Sequence, residues 1–187
     1  MDTFVLKEYK NAMLLEEKRR HFACGEIEAA TKLRRILAAL GNAEAMYELG
    51  LSYAFKSIDY DNKSIDFETI KRALYWLMES HILGGANWDE CAGILYRMAS
   101  KEYLGIDYRY QYCKTELSFL DERNRHDVNY RVIEEEEKIK LKEAISELKT
   151  FLPPSMNEED IRKIEEAIEE RLNITLTPQN SAGHGSK

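Results

Sequence analysis

The segment Ala30 to Tyr53, ATKLRRILAALGNAEAMYELGLSY, recurs 43 residues later as Ala73 to Tyr96, ALYWLMESHILGGANWDECAGILY. Six of the 24 aligned positions are identical, and they carry only Ala, Leu, Gly and Tyr, residue types that close helix packing selects. A repeat of this length is typical of stacked helical hairpins, in which each unit buries its apolar face against the next. Such proteins commonly work by holding another protein, so the repeat indicates a kind of function before it indicates a target.

Composition supports a helical fold. The chain has 187 residues, only 3 Pro and 9 Gly, and 33% charged residues, which leaves few helix breaks and many solvated positions. The net charge of -7 argues against nucleic acid as a ligand and favours a basic protein partner.

Charges within the first ten residues argue against a secretory signal, and no stretch approaches the ~20 apolar residues of a membrane span. We therefore expect a cytoplasmic protein that contacts no membrane.

Neither a metal site nor a cofactor site is evident. The three cysteines are an odd number without CxxC spacing, which speaks against a zinc site and a disulfide framework. The loop from Asp59 to Asp66 is superficially like a calcium loop, but Lys63 and Ile70 stand where ligands are needed. We expect no metal and no cofactor.

Apolar periodicity and capping residues predict a series of helices. Gly41 suits the left-handed end of one helix, Asn42 can cap the next, and Asp66 and Asn157 can cap two later helices. The predicted helices span 4–24, 26–40, 43–55, 67–83, 87–103, 132–150 and a last one after Asn157.

The apolar faces of two of these helices predict core residues. In the helix over 26–40 we expect Ile27, Ala30, Leu33, Leu37 and Leu40 to face the core. In the helix over 132–150 we expect apolar surface from Ile133, Ile139, Leu141, Ile145 and Leu148.

The shared Gly and Tyr positions predict tight packing. Gly50 and Gly93 lie inside predicted helices, where Gly costs about 1 kcal/mol relative to Ala, so a close helix contact is needed to explain them. Tyr53 and Tyr96, three residues later, can cover that contact while each hydroxyl finds a polar partner.

These residues resemble a known family. The pattern Ala45-x3-Leu49-Gly50-x2-Tyr53, followed by Ala73-x2-Trp76-x7-Gly84, is similar to the Sel-1-like repeat, a relative of the tetratricopeptide repeat. The resemblance is clearest over residues 26–99 and departs from the family where Ser80-His81 replaces a preferred pair of alanines. It implies antiparallel helix pairs whose first helices line a concave, protein-binding face.

Several residues are candidates for that face. A cluster of tyrosines with one arginine lies where the repeat fails, and Tyr and Arg are enriched at binding hot spots, although they could equally pack the C-terminal region onto the last repeat. The residues we assign to partner binding are Tyr47, Glu48, Asp89, Glu90, Tyr103, Tyr108, Arg109, Tyr110 and Tyr112.

The acidic run from Glu134 to Glu137 has two interpretations. It is either an acidic docking strip or the solvated side of a helix, and the lysines four residues later favour the solvated side. The only local His and carboxylate pair, His126-Asp127, has no visible nucleophile beside it, so we assign no catalytic residue.

The sequence therefore predicts an all-α protein, a short α-solenoid with a C-terminal helical cap. We place the repeat region at 1–104, a helical extension at 105–175 and a disordered tail at 176–187. We expect a non-enzymatic protein-binding module, most concretely an immunity protein that neutralises a basic bacterial toxin. The alternatives are a general scaffold or signalling adaptor and, less favoured, a hydrolase related to cysteine-rich repeat proteins.

Overall fold

The structure, a computed structural model, describes residues 3–59, 61, 64–85, 133–152 and 156–176. These residues form mostly helix, which confirms the helical class. The α-helices are α1 (Thr3–Lys18), α2 (Ile27–Ala39), α3 (Ala43–Lys56), α4 (Phe67–Ile82), α5 (Glu135–Ser146), α6 (Leu148–Phe151) and α7 (Glu158–Leu172). A π-helical segment, Arg19–Cys24, follows α1, and the strands β1 (Ile58–Asp59) and β2 (Ser64–Ile65) pair antiparallel between α3 and α4.

The helix ends expected from local sequence are confirmed. Gly41 has a φ of 90°, and the Asn42 side chain accepts a hydrogen bond of 2.8 Å from the Ala45 amide at the start of α3. Asp66 caps α4 in the same way. Asn157 and Asp160 form a reciprocal capping box at the start of α7. These ends are fixed by neighbours within four residues, which explains why a single sequence reveals them.

Three elements differ from the prediction. The helix expected over 4–24 widens into the π-helical segment before Gly25, whose φ of 69° ends it. The loop expected over 56–65 contains the short β1–β2 ladder. The helix expected over 132–150 is divided at Glu147, where the chain leaves α5 and begins the four-residue α6.

The α3–α4 hairpin is packed closely at Gly50, as expected. A Cβ atom on Gly50 would lie 2.7 Å from Leu77 Cγ and 3.1 Å from the Ala73 carbonyl oxygen. Leu77 and Ala73 are both fully buried. The absence of a side chain at Gly50 therefore sets how near α4 can approach α3.

Ser80 and Gly85 join the other end of this hairpin. The Ser80 hydroxyl donates a hydrogen bond of 2.7 Å to the Ala43 carbonyl oxygen, and a Cβ atom on Gly85 would meet the Ala43 side chain at 2.3 Å. Ser80 on α4 is thus bonded to the first turn of α3. The hairpin is tight at both ends.

Helix α2 lies at the centre of the described residues, because α1, α3, α5, α6 and α7 all contact it. Ala30, Leu33, Leu37 and Leu40 are buried as expected. Ile27 is 53% exposed, so the expectation that it faces the core is wrong. Two residues that the stripe left out, Arg34 and Arg35, are buried instead. Arg34 lies against Glu17 of α1 and Glu48 of α3, and Arg35 lies against Tyr53 of α3 and Glu137 of α5.

The C-terminal helices return to the N-terminal part of the chain. The Tyr9 hydroxyl on α1 donates a hydrogen bond of 2.8 Å to Asp160 on α7, and Lys32 on α2 donates one of 2.7 Å to Glu147. In an extended solenoid each repeat contacts only its neighbours in sequence. The solenoid arrangement therefore stays a prediction, while the helix pairs themselves are observed.

On α5, Leu141, Ile145 and the neighbouring Ile133 are buried as expected, but Ile139 is 53% exposed and does not contribute to the core. The face of α5 that meets α2 carries one charged residue, Glu137, in line with Ile133 and Leu141. At the other end of the chain Leu176, which we placed at the start of the tail, is buried. None of the described helices is both long enough and apolar enough to cross a bilayer.

We predict that Gly50→Ala lowers the free energy of unfolding by about 1–3 kcal/mol, because the new methyl group overlaps Leu77. Chemical denaturation monitored by helical circular dichroism measures this change. The matched background is Leu77→Ala, which removes the overlap with Leu77 and leaves only the 3.1 Å contact with the Ala73 carbonyl oxygen. There, Gly50→Ala should cost clearly less, because helix propensity favours Ala over Gly. An equal loss in both backgrounds would contradict the packing explanation.

Candidate functional site

The most unusual group in the interior is Glu137, which is only 1% exposed. Its Oε1 accepts hydrogen bonds from Arg35 Nε at 2.8 Å and from Trp76 Nε1 at 3.3 Å. Its Oε2 accepts a hydrogen bond from the Tyr53 hydroxyl. Both carboxylate oxygens are thus satisfied, as a carboxylate removed from water requires. We call these four residues the Glu137 cluster.

Each member of the Glu137 cluster comes from a different helix. Arg35 lies on α2, Tyr53 on α3, Trp76 on α4 and Glu137 on α5. Arg35 Nη2 also donates a hydrogen bond of 2.9 Å to the Tyr53 oxygen, so the hydroxyl accepts from the arginine and donates to the carboxylate. The expectation that the Tyr53 hydroxyl finds a polar partner is confirmed. One carboxylate therefore links four helices.

The cluster's environment fixes the protonation of its donors. Burial and the adjacent Glu137 charge raise the pKa of Tyr53, so its hydroxyl keeps its proton at neutral pH. Burial is the largest influence on the pKa of Arg35 and would lower it, but the charges and hydrogen bonds of Glu137 and Tyr53 together raise that pKa. The Lys140 ammonium lies 5.7 Å from the centre of the Tyr53 ring and adds a cation–π contact.

The acidic run on α5 is more than a solvated face. Arg72 on α4 forms two ion pairs with this run: its Nε lies 2.9 Å from Glu134 Oε2, and its Nη2 lies 2.5 Å from Glu136 Oε2. Glu136 also accepts a hydrogen bond from the Lys140 ammonium group. Glu135 and Glu136 are exposed, which agrees with the solvated interpretation for those two positions. For Glu137 both interpretations were wrong, because this residue is buried against α2.

A signal for Glu137 was present in the sequence. It stands four residues after Ile133 and four before Leu141, so it occupies the apolar stripe of α5. A charged residue on such a stripe requires a buried partner. The partner could not be chosen from sequence, because Arg35 lies 102 residues away.

Two of the residues assigned to partner binding are described. Glu48 lies on α3 with its Oε2 2.8 Å from Arg34 Nε, although the N–H bond does not point at that oxygen. Tyr47 is half-buried and packs against the core. The other seven, Asp89, Glu90, Tyr103, Tyr108, Arg109, Tyr110 and Tyr112, lie outside the described residues. Their role stays a prediction.

Glu48 borders a small surface notch between α1 and α3. Arg34 Nη2 donates a hydrogen bond of 2.5 Å to Glu17 Oε1 at this notch. The Lys18 Nζ atom lies 3.9 Å from Glu44 Oε1. The cavity has a volume of about 10 Å³, room for one water-sized group. Its walls are Leu14, Glu17, Lys18, Arg34, Leu37, Glu44, Ala45 and Glu48. A notch of this size can hold a single oxygen atom or the tip of a side chain.

Helix α7 presents a strongly acidic face. Its fifteen residues include seven carboxylates and three basic side chains. Burial, together with the nearby Glu169 and Glu166 carboxylates, raises the pKa of Glu165, while Lys142 opposes this shift. Negative charge on α7 is therefore only partly neutralised by the protein itself.

Within the described residues no three His, Cys, Asp or Glu side chains are arranged to hold a metal ion. No family model, curated protein sequence or solved structure matches this chain. The resemblance to the Sel-1-like repeat therefore stays a prediction from the residues that carry it.

We predict that Glu137→Ala lowers the free energy of unfolding by about 3–5 kcal/mol, because it leaves Arg35 buried without its counter-charge. The control is Glu143→Ala, an exposed glutamate on the same helix, which should leave stability unchanged. Urea denaturation of both variants makes the comparison. Similar effects at the two positions would show that Glu137 is not a structural ion-pair partner.

We predict that Glu165→Gln raises the melting temperature at pH 7 but not at pH 3. The pKa of Glu165 is raised in the folded state, so its contribution to stability is full below the unfolded pKa of about 4.3 and is lost as pH rises through the folded value. Glutamine removes the charge that opposes folding at neutral pH. Differential scanning calorimetry at the two pH values, with Glu143→Gln as the control, tests the sign. A lower melting temperature at pH 7 would contradict it.

Proposed function

We propose that this protein acts by binding another protein, most concretely as a cytoplasmic immunity protein that binds and neutralises a basic bacterial toxin domain. The observation that carries the proposal is the acidic face of α7. Seven carboxylates against three basic groups give this one helix a net charge of -4, more than half of the chain's -7.

Burial of charged side chains in the described part of the chain removes little of this acidity. The buried pairs Arg34 with Glu17 and Arg35 with Glu137 each contain one positive and one negative charge, and Glu79 is the one further buried charge among the described residues. Most of the net negative charge therefore belongs to the other side chains. On α7, Glu158, Glu159, Glu166 and Glu170 are all exposed.

Such a surface suits a basic partner for two physical reasons. An acidic face accelerates encounter with a positively charged domain, and it disfavours binding of acidic proteins through like-charge repulsion. It also suits Glu165, because a nearby partner cation would relieve the carboxylate repulsion that raises the pKa of this residue.

We predict that Glu166→Lys with Glu170→Lys reduces the association rate with a basic toxin domain encoded beside the gene by at least about tenfold at low salt. The matched control is Glu28→Lys with Glu143→Lys, which changes the net charge equally but on α2 and α5. Surface plasmon resonance at several salt concentrations, together with co-expression protection, provides the measurement.

The control variant should associate at a rate closer to that of the wild type, and its salt dependence should be preserved. Equal losses in the two double variants would show that net charge alone, and not the α7 face, governs binding. Failure of every neighbouring toxin to form a complex or to be neutralised would overturn the immunity assignment.

A further inference from the structure

Three helices direct hydrogen-bond donors toward one helix of the same chain. Arg35 of α2, Tyr53 of α3 and both Arg72 and Trp76 of α4 donate to glutamates at or beside the start of α5. We call this surface, formed by those four side chains, the α5-binding surface. These four side chains together meet the carboxylates of Glu134 and Glu137.

The charge of the α5-binding surface is opposite to that of the chain. It carries two arginines, although the protein as a whole has a net charge of -7. Both arginines are occupied by α5, Arg35 by Glu137 and Arg72 by Glu134 and Glu136. A basic surface in an acidic protein is thus covered by an acidic segment of the same chain.

The segment that covers it has the form of a helical ligand. Ile133, Glu137 and Leu141 follow one another at four-residue spacing, and all three are at most 2% exposed. Glu137 and Leu141 lie one turn apart on α5, and Ile133 stands two residues before the helix begins, so an apolar anchor lies on each side of the carboxylate. Glu134 and Glu136 add contacts at the rim.

Helix α5 is followed directly by α6 at Glu147, and both α6 and α7 contact α2, so α5 is held in the same molecule as the surface that it covers. A helix from another molecule competes with this internal helix if it binds more tightly or is abundant.

We propose that α5 is an internal ligand of the α5-binding surface, and that a partner protein with an acidic amphipathic helix of the pattern apolar-x3-Glu-x3-apolar binds there by displacing α5. This inference goes beyond the proposed toxin binding, since it uses a different surface and a partner helix of the opposite charge.

The test uses the full chain and a fluorescent peptide comprising residues 133–152. In the wild type the surface is occupied by α5, so the peptide binds weakly. In the variant Glu134→Gln with Glu136→Gln the internal helix loses its two ion pairs with Arg72 but keeps Glu137. Apparent affinity scales with the fraction of open molecules, so we expect the peptide to bind this variant at least about tenfold more tightly.

A second variant and two controls complete the design. Glu137→Gln in the full chain should also bind the wild-type peptide at least about tenfold more tightly than wild type does, whereas Glu143→Gln should not change binding. A peptide that itself carries Glu137→Gln should bind the opened variant at least about tenfold more weakly than the wild-type peptide.

Circular dichroism establishes which variants remain folded. Variants that keep their helicity and bind the peptide no better than wild type would overturn the proposal. Equal binding of the wild-type and Glu137→Gln peptides would overturn it as well, because recognition would then not depend on the carboxylate. If Glu137→Gln unfolds the chain, the Glu134→Gln with Glu136→Gln variant alone decides the outcome.

Discussion

The described part of this protein depends on one buried carboxylate. Glu137 receives hydrogen bonds from three helices while it sits on a fourth, and its removal from water is compensated only when Arg35, Tyr53 and Trp76 are all in place. An apolar contact tolerates small shifts, whereas a charged network requires defined distances and angles. We infer that the Glu137 cluster sets how α2, α3, α4 and α5 are placed relative to one another.

Other contacts between residues far apart in sequence also join the C-terminal helices to the N-terminal part of the chain. Tyr9 with Asp160, Lys32 with Glu147, and Arg171 with Glu79 join residues far apart in sequence, as the Glu137 cluster does. Burial and the Asp160 carboxylate raise the pKa of Tyr9 to about 12, so this tyrosine also remains a donor. Contacts of such large sequence separation are slow to form, since chain entropy is lost before they stabilise the fold. The helical hairpins can form locally, but α5 to α7 must find them.

The sequence predicted what local chemistry decides. Helix ends at Gly41, Asn42, Asp66 and Asn157 were correct because capping involves residues within one turn, and Gly50 was correctly interpreted as a close helix contact. Burial that arises from distant segments was missed. Ile27 and Ile139 look like core residues on a helical wheel, while Arg34 and Arg35 do not. Whether each is buried depends on which other helices pack on its side, α1 and α3 beside Arg34 and α3 and α5 beside Arg35, and a single-helix pattern contains no information on that choice.

The functional features likewise divide into those that the sequence reveals and those that depend on contacts between distant segments. Charge sign could be read from composition, and the structure shows where it accumulates, on α7. The basic α5-binding surface could not be found from composition, because it is a minority charge gathered from three helices. A double-mutant cycle between Tyr53→Phe and Glu137→Gln tests the central role of the Glu137 cluster most directly. The account predicts a coupling energy of at least about 1 kcal/mol in the free energy of unfolding, whereas additivity within about 0.3 kcal/mol would contradict it.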